Sequence, residues 1–207
     1  MLGGCCTLLI GVAAALRDAE LDAGLLFVDG HLDCYDGATS RTGEAADMEL
    51  AVMLGVGAEP LVRIAGDPPL LSDRRVVVLG PADEEDASRD GAPDPRSFAP
   101  AMPIVTSVEL SRDPAGHARA ALEHLRDAPA GFWLHLDLDV LSAAELPSVD
   151  YPQEQGQTWD ELLALLRPVL ADDRLLGADV TILNPTLDPE GRYSARTVRL
   201  LSDALAA

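Results

Sequence analysis

Short apolar runs of strand length alternate along the chain with longer segments whose apolar positions recur every three or four residues. Leu25-Leu26-Phe27-Val28 and Val76-Val77-Val78-Leu79 are continuous apolar runs, the pattern of strands buried on both faces. Phe132-Trp133-Leu134-His135-Leu136 and Ala178-Asp179-Val180-Thr181-Ile182-Leu183 add two more strands, and Pro103-Ile104-Val105-Thr106 a short one. Helical spacing predicts helices over 8–18, 45–54, 114–127, 158–171 and 194–206. Thr7 reads as the N-cap of the first, Pro114 opens the third, and Asp160-Glu161 occupy the first turn of the helix that starts from Thr158. Residues 82–100 are polar and carry several prolines, and read as a surface loop. Strands alternating with helices imply a mainly parallel sheet with helices on both faces, a three-layer α/β sandwich. The 207 residues fit one domain spanning 1–207. In open sheets of this kind ligands sit at the carboxyl ends of the strands.

Charge narrows the partners. A formal net charge of −20 excludes the basic footprint that nucleic acid or an anionic membrane needs, and leaves a small-molecule substrate and metal ions. Every basic residue is Arg; without lysine there is no Schiff-base chemistry and no P-loop. Cys5, Cys6 and Cys34 are odd in number and partly adjacent, which is no disulfide framework and points to a reducing, cytoplasmic setting. Residues 5–16 are apolar enough to suggest a signal-peptide core. No positive charge precedes Arg17, however, and the run is too short to span a bilayer, so a buried helix is the better reading.

Chemistry concentrates in two acidic clusters, each following an apolar run: Asp29-Gly30-His31-Leu32-Asp33 and Asp137-Leu138-Asp139. In an extended segment, residues i, i+2 and i+4 project to one side, so Asp29, His31 and Asp33 can converge, as can Asp137 with Asp139. Four carboxylates and an imidazole buried together cost several kcal/mol each unless cations accompany them. Carboxylate oxygens with a histidine suit Mn²⁺, and less specifically Mg²⁺, Fe²⁺ or Zn²⁺. A lone D-x-D is a weak signal; the two clusters together are far more specific.

These residues resemble the arginase/agmatinase (ureohydrolase) family. Val28-Asp29-Gly30-His31-Leu32-Asp33 is similar to its D-A-H-x-D motif, and His135-Leu136-Asp137-Leu138-Asp139 to its S-x-D-x-D. Met1-Leu2-Gly3-Gly4-Cys5-Cys6-Thr7 resembles L-G-G-D-H-S, and Leu183-Asn184-Pro185 the x-N-P after the last strand, in matching order across nearly the whole chain. The resemblance implies an arginase-like sandwich and two Mn²⁺ ions bridged by Asp29 and Asp137. His31 and Asp139 would complete one ion, and Asp33 the other. It further implies hydrolysis of a C–N bond in a guanidino, amidino or formimino compound through a metal-bridging hydroxide, and a homo-oligomer as the assembled form.

Four departures accompany it. Cys6 stands where the family has a histidine ligand; it is either a soft thiolate donor, leaving one ion weak, absent or of another element, or a small buried residue. The family's proton-shuttling histidine falls at Ala46-Asp47, so Glu44 or Asp47 either carries protons or caps a helix. The glutamate that anchors a guanidinium is Ile182, and Glu85, in the acidic run Asp83-Glu84-Glu85-Asp86, either compensates or is solvated. Finally, the family carries strands ahead of the G-G-x-x-S loop, on which Met1 almost stands; either the recorded start is too late or those edge strands are lacking, which would leave a bare sheet edge unless covered. The alternative to a working enzyme is a catalytically silent homologue holding one metal as a structural or regulatory subunit.

Overall fold

The computed structural model describes residues 1–206. Five strands form one sheet: β1 (Gly24–Val28), β2 (Val76–Leu79), β3 (Ile104–Val105), β4 (Phe132–Asp137) and β5 (Leu175–Thr181). Their order is β3-β2-β1-β4-β5, and every pairing is parallel. The chain therefore winds outward from β1 in one direction, returns, and winds outward from β4 in the other. The crevice between β1 and β4 is the switch point at which open sheets bind ligands.

Alternation within the strands builds two cores. Leu26, Val28, Val77, Leu79, Leu134 and Leu136 face helices α4 (Pro114–His124), α5 (Trp159–Leu170) and α6 (Arg192–Leu205). Leu25, Phe27, Val76 and Val78 face α1 (Leu8–Asp18) and α2 (Glu49–Met53). Both faces are covered, which is why these strands are apolar at every position. Helix α5 begins where a capping box closes: Thr158 accepts from the Glu161 backbone N–H, and the Glu161 side chain accepts from the Thr158 N–H. No described helix is long and apolar enough to cross a membrane.

Several sequence expectations need correction. Residues 82–100 are not a plain loop: α3 (Glu84–Asp90) and a short helix (Pro95–Phe98) form there. Three acids in the first turn of α3 favour its N-terminus, and Gly91 at φ +79 ends it. Thr7 precedes α1 but makes no side-chain cap; its hydroxyl meets Cys5 Sγ at 2.8 Å. Strand β5 starts at Leu175 and ends at Thr181, earlier than the apolar run suggests. Gly177 hides its beginning in the sequence. A Cβ there would lie 2.6 Å from the Trp133 ring, so the glycine is what lets the indole lie across the strand. Nor is the outer edge of β5 wholly bare, since Leu2 pairs with Val180 in parallel and Gly3 N–H donates to Val180 O at 3.0 Å.

Thr158→Ala removes one half of the capping box on α5, which buries Leu162, Leu165, Leu166 and Val169. A loss of about 1 kcal/mol is expected, read as a melting temperature lower by roughly 2–4 °C.

Candidate metal centre

Where β1 and β4 end, their chains are turned by their own carboxylates. His31 N–H donates to Asp29 Oδ1 at 2.7 Å, and Asp139 N–H to Asp137 Oδ1 at 3.0 Å. Asp137 Oδ2 also accepts from Thr181 Oγ1 at 2.8 Å on neighbouring β5. The two turns touch. Gly30 N–H donates to Asp139 Oδ1 at 3.1 Å, and a Cβ on Gly30 would stand 2.5 Å from Asp139 O. Only glycine lets the turns approach so closely. Backbone strain collects here too: Asp33 has φ +45 and Ile182, a β-branched residue, φ +70.

The turns bring the predicted donors together, though not by simple alternation along a strand, because β1 stops at Val28. Asp29, His31 and Asp139 form one group, with His31 Nδ1 3.2 Å from Asp139 Oδ2 and 3.6 Å from Asp29 Oδ1. Asp29 and Asp137 form a second group with His135, and Asp33 and Cys6 a third with Glu49; within each, donor atoms lie within 4.8 Å of one another. Glu44 and Asp47 line the cavity above these groups, a space of about 340 Å³. Asp47 Oδ2 accepts from Ser40 and Thr42 hydroxyls, both at 2.7 Å, and Glu44 Oε2 accepts from Tyr151 OH at 3.3 Å. Ile182 is part of the wall. Glu85 does not join them: it is exposed and borders a separate groove, because α3 turns Asp86, not Glu85, toward the cavity.

Three participants went unassigned in the sequence. Glu49 is fully buried and opens α2, in the run Met48-Glu49-Leu50-Ala51-Val52-Met53; a lone acid inside an apolar run was the available signal. Asp83, masked by its acidic neighbours, holds the loop by accepting from Leu32 N–H at 3.0 Å. His135, open in the sequence between packing and site roles, does both. It lies 4.9 Å from the Phe27 ring, its Nδ1 is 2.6 Å from Asp179 Oδ2, and its Nε2 is 3.6 Å from Asp29 Oδ2. Asp179 also accepts from Trp133 Nε1 at 2.5 Å.

Five carboxyl groups, those of Asp29, Asp33, Glu49, Asp137 and Asp139, are thus at least 94% buried, and none pairs with an arginine among the described residues. Burial, then the charges of Glu49 and Asp29, pushes Asp33 well above the usual carboxylate range. Asp137 rises for the same reason, with Asp139 and Asp29 as its neighbours. Burial carries Glu49 up to about 8 and Asp83 to about 6. Asp29 alone falls, because the His135 and His31 rings outweigh its burial. Both rings rise in turn: burial opposes their charge, but Asp139 beside His31 and Asp179 beside His135 overcome it. Burial and Glu49 push the Cys6 thiol up, so it is no thiolate in this environment. Such a donor set is too acidic to stay ionised alone, and it fits a hard divalent cation.

Fold and site define an open parallel α/β protein with a buried acidic pocket at its switch point. Residues 1–207 match the model of the Arginase family over their whole length, and the chain belongs to that family. It is 31% identical over 205 residues to an arginase from Brevibacillus brevis, covering 98% of this chain and 66% of that protein. It is 32% identical over 182 residues to a formimidoylglutamase from Aromatoleum aromaticum, covering 86% of this chain and 47% of that protein. The crystal structure of arginase from Bacillus cereus superposes with a TM-score of 0.86 at 25% identity, covering all of this chain and 70% of that one. The chain spans about two thirds of the length of the arginases it matches.

Protons and cations compete for this pocket. Glu49 moves from its ordinary 4.5 to about 8 on folding, and Asp33 and Asp137 also rise, while only Asp29 falls. The folded metal-free protein therefore holds more protons than the unfolded chain. The stability these pocket acids contribute is greatest at low pH and declines as pH rises from about 4.5 to 8. Urea unfolding with a chelator should show a falling midpoint across that window, and with saturating Mn²⁺ a rising one, since the cation needs the deprotonated acids.

Proposed function

We propose that the chain is the metal-binding body of a ureohydrolase-type enzyme. It would hydrolyse a C–N bond in a guanidino, amidino or formimino compound with two Mn²⁺ ions. One observation carries the reading: five buried carboxyl groups and two imidazoles meet at the switch point, under an open cavity, and among the described residues none of the five pairs with an arginine. Asp29 and Asp137 would bridge the ions, His31 and Asp139 would complete one, and Asp33 would serve the other. When bound, the ions supply the Lewis acidity that makes a water nucleophilic near neutral pH.

The remaining residues position substrate and protons. Glu44 stands at the mouth beside Tyr151, and with Asp47 gives the cavity wall acids that attract a cationic nitrogen group, while Asp86 is paired with Arg89. Glu44 is the better proton carrier of the two candidates, since it is exposed, while Asp47 Oδ2 already accepts from the Ser40 and Thr42 hydroxyls. Ile182 puts an apolar contact in the wall where the family pattern carries a glutamate. Losing that charge partner costs a guanidinium about 2–5 kcal/mol of binding, so arginine is expected to be a poor substrate.

Metal content and product release test the reading together. After reconstitution with Mn²⁺, the protein should retain two equivalents and release urea, ammonia or formamide from at least one member of a guanidino, amidino and formimino panel. Asp137→Ala should lose both ions and all turnover. Two ions retained by Asp137→Ala would refute the bridging assignment, and one ion with no product across the panel would point instead to a silent homologue.

A further inference from the structure

Three polar atoms at the floor of the pocket have no partner: both carboxylate oxygens of Glu49 and Nε2 of His135. Both side chains are fully buried. An unsatisfied buried polar group costs about 1–3 kcal/mol, and similar-sized apolar residues would pack against the same neighbours without it. Glu49 lies with Asp33 and Cys6, His135 with Asp29 and Asp137. The two groups adjoin, since Glu49 feels the charges of both His135 and Asp29, and together they hold Asp29, Asp33 and Asp137, the carboxylates assigned above to the ion that Asp33 serves, here called the first.

We propose that Glu49 and His135 are ligands of that first ion, replacing the nitrogen donor that Cys6 cannot supply. This inference rests on the metal reading above and adds two donors to it. The imidazole is already set for coordination. Nδ1 is 2.6 Å from Asp179 Oδ2, and Asp179 is itself held by Trp133 Nε1, so Nδ1 keeps its proton when a cation displaces the one on Nε2, which lies 3.6 Å from Asp29 Oδ2. A carboxylate behind a histidine fixes ring and tautomer in this way at metal sites generally. Glu49 enters from the first turn of α2. Cys6 is spent elsewhere, its thiol donating to Ala46 O at 3.4 Å. The first site then offers oxygen and imidazole nitrogen without sulfur, a set that favours Mn²⁺, Fe²⁺ or Mg²⁺ over the softer ions a thiolate selects.

Mn²⁺ binding to the full chain tests this by stoichiometry, affinity and spectroscopy. Glu49→Gln and His135→Gln should each weaken one of the two Mn²⁺ ions at least about tenfold, the loss associated even with groups that only support a ligand. Asp139→Asn should instead weaken the other ion. Pulsed electron paramagnetic resonance of Mn²⁺-loaded His31→Gln should retain imidazole-nitrogen coupling, and adding His135→Gln should abolish it. Melting of the metal-free proteins separates misfolding from ligand loss: Glu49→Gln should melt no lower than wild type, because it removes an orphaned acid. If wild type binds two Mn²⁺ ions and both variants bind them equally well, this inference fails and the metal reading stands. An effect at only one residue overturns the assignment of the other. If wild type binds no Mn²⁺, both readings fail.

Discussion

Carboxylates crowded out of water need positive charge, and that requirement organises this molecule. Asp29, Asp33, Glu49, Asp137 and Asp139 are packed together almost out of solvent, and among the described residues none of them pairs with an arginine. Without cations the group must take up protons, as the raised positions of Asp33, Asp137 and Glu49 record. Fifteen arginines are present in the chain, and those near the mouth pair with outer acids instead: Arg41 with Asp90 and Arg89 with Asp86. The interior charge is thereby left free for an ion.

The sheet makes such crowding geometrically cheap. Strands β1 and β4 lie side by side and send their following loops apart, opening a crevice into which both acidic turns project. Each turn is wound around its first aspartate, through the His31 and Asp139 amides, so the carboxylates are fixed before any ligand arrives. Gly30 lets the turns touch, and Asp83 braces the first of them through Leu32. Such preorganisation limits the ordering that binding must still impose.

Within the family frame this chain has redistributed its chemistry. The loop before α1 carries Cys6 in place of a histidine, while β4 carries His135 with a dedicated aspartate behind it. The cavity wall gains apolar Ile182 but keeps acids at its mouth in Glu44, Asp47 and Asp86. Under the proposed function, a pocket altered in this manner would accept a cationic C–N compound while holding arginine itself less well.

Local pattern settled a good deal. Continuous apolar runs marked β1 and β2 as doubly covered strands, Thr158 with Glu161 marked the start of α5, and two spaced acidic motifs after apolar runs marked the pocket, because each depends on neighbours within a few residues. Where the outcome hinged on distant partners, the pattern was silent or misleading. The start of β5 stayed hidden until Trp133 lay across Gly177, Glu85 was the expected compensating acid until α3 turned Asp86 inward instead, and Thr7 was the expected cap of α1. Glu49 could be recognised only once α2 was folded against β1 and β4, and His135 only once Asp179 stood behind it. The amino-acid order specified which elements form and which donors exist. Tertiary packing decided which of them share one low-dielectric space, since desolvation and charge coupling belong to the assembled pocket and to no single stretch of chain.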